Sequence, residues 1–193
     1  RWRFGAGGVG DCATVDTFAR TRGFAFRAVP ELTMGGQVVS STAIRRAIAS
    51  GLLDDARVML GRAYAVAGQV VRGQAIAGPV LACPTANLAI RQGILPPAGV
   101  YAGRASVAGQ PRLPAAIAIG AAPTLRHQFG DRLMVEVHLL DFSGDLYGRE
   151  LEVEFIRYLR EERCFSSPEL LRAQIARDLA AIRRLLAESE AGN

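Results

Sequence analysis

The chain contains no lysine. All 23 of its cationic side chains are arginines, so chemistry that needs a lysine amine is excluded, both a Schiff base and the lysine of a P-loop. Cysteine is scarce as well. Cys12, Cys83 and Cys164 are far apart and form no C-x-x-C pair, which argues against a zinc site. An odd cysteine count with no signal peptide points to a reducing, cytoplasmic setting. Aromatics are only 7% of residues, so the core must lean on Val, Leu, Ile and Ala. No apolar stretch approaches transmembrane length, so no membrane partner is expected. No methionine begins the chain, and Arg1-Trp2-Arg3-Phe4 reads as the start of a piece of a longer protein.

What is present is 193 residues, 50% apolar and 21% charged, with a formal net charge of +5. That suffices for one good core, or one core plus a smaller attached piece. A basic balance suits nucleic acid and equally a phosphate-rich small molecule. No basic run is interleaved with aromatics, so nucleic acid is not the expected partner. The 21 glycines and 9 prolines are scattered between apolar runs, as in a chain of many turns and several strands.

In the first 62 residues, Phe4 to Asp11 forms a glycine-rich loop. A helix around 13–22, a strand around 24–29 and a turn at Gly35-Gly36 are expected after it. Ser40-Ser41-Thr42 offers N-cap hydroxyls for a helix carrying Ile44 and Ile48 and broken at Gly51. A second helix starts near Asp54 or Asp55, with Leu53, Ala56 and Leu60 on one face and Gly61 at its end.

After Arg62 the texture changes. Runs near 64–72, 99–108, 113–119, 133–141 and 150–157 are short, rich in Val, Ala and Ile, and separated by turn residues, as in an antiparallel barrel or sandwich. Over 133–140, Leu133, Val135, Val137 and Leu139 share one face, and Met134, Glu136, His138 and Leu140 the other. Over 150–155, Leu151, Val153 and Phe155 are expected inside, with Glu150, Glu152 and Glu154 in water. Asp141 to Asp145 reads as the intervening turn. Ser167 and Pro168 suit the start of a final helix. Its stripe of Leu171, Ile175, Leu179, Ile182 and Leu186 should pack onto the sheet.

Three features offer chemistry. In Pro84-Thr85-Ala86-Asn87-Leu88, Thr85 and Asn87 supply hard oxygen ligands that suit Mg²⁺ and its waters, although a turn entering a strand explains the segment as well. Glu136 and His138 share a strand face. A carboxylate there is either a general base or a solvated edge residue, and a lone histidine is more often structural than a ligand. Ser40, Ser41, Thr42 and Arg45 make either a phosphate cradle at a helix N-terminus or an ordinary cap.

The order of these features along the chain is more specific than any one of them. Val39 to Arg45, Leu60-Gly61-Arg62, Pro84 to Leu88, Pro97 to Tyr101, Ile119 to Thr124, Glu136 to Phe142, Asp145 to Gly148, then Leu159-Arg160 and Phe165 together resemble the bacterial bifunctional riboflavin kinase/FMN adenylyltransferases. The resemblance covers nearly the whole chain and is strongest from 84 to 160.

It implies a mostly β fold over 63–193, a six-stranded antiparallel Greek-key barrel with a C-terminal helix. Over 1–62 it implies an α/β remnant, the C-terminal part of a nucleotidyltransferase-like FMN adenylyltransferase domain. The implied reaction moves the ATP γ-phosphoryl group to riboflavin, giving FMN, with Mg²⁺. Glu136 is then the base, Thr85 binds Mg²⁺ and the nucleotide phosphates, and Asn87 supports that site. Tyr147, Arg160 and Phe165 fall on the flavin side. Ser40, Ser41, Thr42 and Arg45 match the second nucleotide motif of the adenylyltransferase half. The first motif, a His-x-Gly-His loop, is absent, so this chain alone is not expected to make FAD, whereas the full-length protein is.

The sequence also departs from that family. Ala77, Pro79, Ala82 and Cys83 replace basic residues and a Gly-Phe pair of the nucleotide loop at 73–83, and Ala118 and Ala122 replace an asparagine and a basic residue. Fewer cations near phosphates weaken their binding. This leaves a second reading, a catalytically weakened flavin-binding or regulatory barrel. A third is a basic barrel for single-stranded nucleic acid, which would need more exposed aromatics than the chain has.

Overall fold

The computed structural model describes residues 2–72, 84–90, 92–107, 110–121 and 133–191. The loop at 73–83 and Ala122, where the sequence departs from the family, lie outside the described residues. The chain divides into two compact units, Arg1–Val39 and Ser40–Asn193.

In the first unit, α1 (Cys12–Arg22) starts in a capping box. Asp11 accepts from the Thr14 amide at 3.0 Å, and the Thr14 hydroxyl accepts from the Asp11 amide at 3.3 Å. Gly23, in the left-handed region at φ 74°, ends it. Gly35 and Gly36 form the expected turn, joining β1 (Thr33–Met34) to β2 (Gln37–Val38). The strand expected at 24–29 does not form. The Phe24 amide turns back to the Ala19 carbonyl at 3.1 Å, and no described strand of this unit pairs with the segment, so its backbone has no ladder to join.

The second unit opens with α2 (Ser41–Ala49) and α3 (Leu53–Leu60). It continues through β3 (Tyr64–Val71), β4 (Ala86–Ile90), β5 (Gly99–Val107), β6 (Leu113–Ala121), β7 (Leu133–Leu139) and β8 (Glu150–Arg160) to α4 (Pro168–Ala191). The boundary of this compact unit falls earlier than the 62/63 division read from the sequence. The reason is Leu53 of α3, which is buried in the same apolar cluster as the barrel interior. The six strands close into an antiparallel barrel in the order β3-β4-β7-β6-β5-β8. Within it β5, β6 and β7 are successive neighbours and β8 returns beside β5, which is the Greek-key arrangement.

Alternation along each strand fills the inside. Leu88, Tyr101, Ile117, Ile119, Val135, Val137, Leu151, Val153 and Phe155 are all buried there, and the Tyr101 and Phe155 rings meet edge to face at 5.4 Å. Burial raises the Tyr101 hydroxyl to about 12, and its proton is donated to the Pro97 carbonyl. Gly103 sits where β5 shifts register against β8. A Cβ there would come within 2.1 Å of the Glu154 carbonyl oxygen, so the close approach of the two strands requires glycine.

The outside of the barrel is covered in part by α4. Ile182 and Leu186 of the expected stripe pack with Ala102 and Leu140, and Leu179 joins them. Two ion pairs fix the helix. Arg160 grips Asp178, and Arg183 reaches Asp141, which adopts φ 57° in the turn after β7. One expectation about the outer face fails. Glu150 and Glu152 are exposed, but Glu154 is buried, 8% accessible, with its carboxylate 2.8 Å from Arg112 Nη1. β8 is flanked by β3 on one side and β5 on the other, and Arg112 at the entry to β6 folds over this rung.

Candidate active site

β4 and β7 are neighbours in register, with Ala86 opposite Val137 and Asn87 opposite Glu136. Ala86, Leu88, Val135 and Val137 point into the core, so strand alternation turns Asn87, Glu136 and His138 to the outer wall. Thr85, just before the first rung, lies on the same outer face and its hydroxyl stands near the Glu136 carboxylate. Thus three residues read as a group from the sequence, Thr85, Asn87 and Glu136, come together on one patch of the barrel exterior. Burial holds the Glu136 carboxyl above the usual carboxylate range, and the Thr85 hydroxyl opposes part of that rise.

Two cavities meet at this patch. One, of about 240 Å³, lies between the outer wall and α4 and is bordered by Thr85, Glu136, His138, Glu162, Phe165 and Ile175 among others. The second, of about 600 Å³, is bordered by Val70, Thr85, Leu139, Phe142, Leu146 and Tyr147. Thr85 borders both.

The other anticipated residues are distributed unevenly. Arg160 and Phe165 border the smaller cavity and Tyr147 the larger one, so the three do not form one group. The Arg160 guanidinium is engaged with Asp178, from Nε at 3.0 Å and Nη2 at 2.7 Å, and donates from Nη1 to the Glu161 carbonyl at 2.8 Å. Tyr147 lies under the Arg72 guanidinium at 4.9 Å. Ser40 caps α2, its hydroxyl accepting from the Ala43 amide at 3.1 Å. Neither Ser40, Ser41, Thr42 nor Arg45 borders either of these two cavities.

Two residues escaped the sequence reading. Glu162 borders the smaller cavity, its carboxylate lying over Gly120 of β6, where a Cβ would stand only 2.3 Å from both oxygens. Burial and the nearby Glu136 charge push the Glu162 carboxyl up, against the pull of Arg160. Asp178 closes the same cavity and is 9% accessible. It had a signal: it is a carboxylate beside Leu179 on the apolar stripe of the last helix, a place that demands a buried partner.

Among the described residues no group of three His, Cys, Asp or Glu side chains is placed to hold a metal. Thr85 and the buried Asn87 offer neutral oxygens instead. This donor set fits Mg²⁺, which takes few protein ligands and completes its shell with water and phosphate oxygens. No helix among the described residues is long and apolar enough to cross a membrane.

A closed barrel whose outer wall carries a half-buried carboxylate in one cavity, near a threonine that also borders a second, has two adjoining pockets of the kind a group-transfer reaction between two substrates uses. The chain belongs to the riboflavin kinase family, whose family model, Flavokinase, matches residues 60–186. The bifunctional riboflavin kinase/FMN adenylyltransferase of Escherichia coli strain K12 is 40% identical over 177 residues, which cover 92% of this chain and 55% of that protein. The riboflavin kinase structure from Trypanosoma brucei superposes with a TM-score of 0.50 at 25% identity, over 65% of this chain and 81% of that one. A crystal structure described as a macrolide-efflux protein from Streptococcus pneumoniae gives a TM-score of 0.80 at 27% identity, over 94% of this chain and 57% of that one. The chain spans about half the length of the curated relatives it matches.

Proposed function

We propose that the barrel and its C-terminal helix transfer the γ-phosphoryl group of ATP to the terminal ribityl hydroxyl of riboflavin, giving FMN and ADP. The observation that supports this best is the position of Glu136, a half-buried carboxylate made more basic by burial, in the smaller cavity near Thr85, which borders both cavities. The acceptor alcohol must touch the base, so riboflavin takes the smaller cavity, whose Ile175, Leu179 and Phe165 walls suit an apolar ring system. The nucleotide takes the larger one, with its phosphates toward Thr85.

Glu136 accepts the proton of the ribityl hydroxyl as the hydroxyl oxygen attacks the γ-phosphorus, and the bond to the ADP oxygen breaks. Thr85 and Asn87 are the residues that would hold Mg²⁺, which when bound neutralises charge on the transferred group. The outer wall and α4 exclude water from the riboflavin side. The cytosol supplies ATP and Mg²⁺.

Residues 1–62 we assign to the C-terminal part of the FMN adenylyltransferase half, with Ser40, Ser41, Thr42 and Arg45 in its nucleotide motif. The full-length protein would then carry FMN on to FAD. The test is incubation of the chain with riboflavin, ATP and Mg²⁺ and chromatography of the flavins. FMN that vanishes on chelation of Mg²⁺ and in Glu136→Gln supports the kinase reading; intact riboflavin with a folded chain refutes it. FAD made from FMN by this chain alone would overturn the assignment of the first 62 residues.

A further inference from the structure

The β4–β7 ladder ends at Ala86 opposite Val137. One residue further back is Thr85, and before it is Pro84, which has no N–H and cannot extend the ladder. Here a side chain stands in for the backbone. His138 Nδ1 lies 2.8 Å from the Pro84 carbonyl oxygen, the length of a sound N–H···O bond. A carbonyl oxygen only accepts, so Nδ1 carries the proton.

The proline ring fixes φ of Pro84 but leaves ψ free. A hydrogen bond to the Pro84 carbonyl orients the Pro84–Thr85 peptide plane, and that plane sets the direction of the Thr85 side chain. Thr85 lines the smaller cavity together with Glu136 and borders the larger one as well.

We propose that His138 is a positioning residue for phosphoryl transfer, holding the Pro84 carbonyl so that Thr85 stays between Glu136 and the nucleotide cavity. The inference rests on the kinase reading above. It differs from the role a histidine two residues from a catalytic carboxylate would ordinarily be given, that of a second acid or base. The imidazole here acts as a fixed donor through Nδ1, and the proton at that atom takes no part in the reaction.

Three substitutions separate the possibilities. The side-chain nitrogen of asparagine stands at the same bond count from Cα as Nδ1, and that of glutamine at the bond count of Nε2. His138→Ala is expected to raise KM for MgATP and lower kcat, with kcat/KM down by about 10- to 100-fold, the scale of a small misplacement of a positioning group. The unfolding midpoint should stay near wild type. His138→Asn should recover most of the loss, and His138→Gln should resemble His138→Ala. MgADP affinity measured by calorimetry should fall in the same order, a readout that needs no turnover. Equal kcat/KM in wild type and His138→Ala would overturn the proposal, as would rescue by glutamine in place of asparagine. A wild-type chain that makes no FMN would refute the kinase reading instead, and the MgADP series would still decide the place of His138.

Discussion

The ion pair between Arg160 at the end of β8 and Asp178 on α4 should be worth several kilocalories, and the structure allows the size to be worked out. Asp178 accepts from Arg160 Nε at 3.2 and 3.0 Å, from Arg160 Nη2 at 2.7 Å and from Gln174 Nε2 at 2.8 Å. The two side chains are only 17% and 12% exposed, so solvent screens the pair weakly. Removing one partner of such a pair typically costs about 3–5 kcal/mol, because the other charge is left buried. Asp178→Ala belongs at the low end, about 3 kcal/mol, since the guanidinium keeps its bond to the Glu161 carbonyl. In a unit of this size that is a fall of about 6–12 °C in Tm. Urea unfolding of Asp178→Ala, Arg160→Ala and the double variant gives the coupling directly. A coupling below about 0.5 kcal/mol, within ordinary additivity, would refute the argument. The loss should extend to binding, since both residues border the smaller cavity: riboflavin affinity should fall while MgADP affinity holds.

Glu136→Gln should lose turnover by about a hundredfold or more, the scale of a general base, and yet be more stable than wild type at pH 7 without metal or nucleotide. Burial raises the folded-state pKa of Glu136 above its unfolded value, so its favourable contribution is complete below the unfolded value and is lost as pH rises through the folded one. The stability gap should therefore close in acid, and a variant less stable than wild type at pH 7 would contradict the burial argument. Thr85→Ala should weaken MgADP binding by about tenfold, the scale of one hydrogen bond to a charged group; unchanged nucleotide affinity by calorimetry would remove Thr85 from that site. Gly103→Ala should cost about 3 kcal/mol, as overpacking against immovable atoms does, because its Cβ would meet the Glu154 backbone oxygen at 2.1 Å and Ile117 Cδ1 at 2.3 Å. An unfolding midpoint within a degree of wild type would show that β5 and β8 can part at that bulge.

The parts of the fold that were legible are those in which local pattern and global packing demand the same residue. The alternation of Val135 and Val137 with Glu136 fixed which face of β7 is inside, and the stripe ending at Ile182 and Leu186 fixed the inner side of α4. Where they diverge, the pattern misled. Residues 24–29 have the composition of a strand, but a strand needs a partner's backbone, and composition does not supply one. Glu154 alternates with apolar neighbours as a solvated residue should, but a central strand of a closed barrel has a neighbour on each side, and Arg112 from another connection covers it. Of the proposed site, Thr85, Asn87 and Glu136 were grouped through motif order, and the fold brings them onto one face. The His138–Pro84 bond joins residues 54 apart in sequence, and no local pattern encodes it.

The proposed chemistry falls on the outer wall because of the size of the barrel. A closed barrel of so few strands has an interior only wide enough for its own side chains, and Tyr101, Phe155, Ile117 and Leu88 fill this one. A reactive carboxylate must then face outward, where water would keep it an ordinary acid. The remedy is a cover. α4 lies across the wall, tied to it by the Asp178 and Arg183 ion pairs, and beside it Glu136 is shielded enough for burial to raise its basicity. On these grounds the helix is part of the proposed active site as much as of the fold. A variant that loosens it should depress turnover before it unfolds the barrel, because the strands close on one another without it.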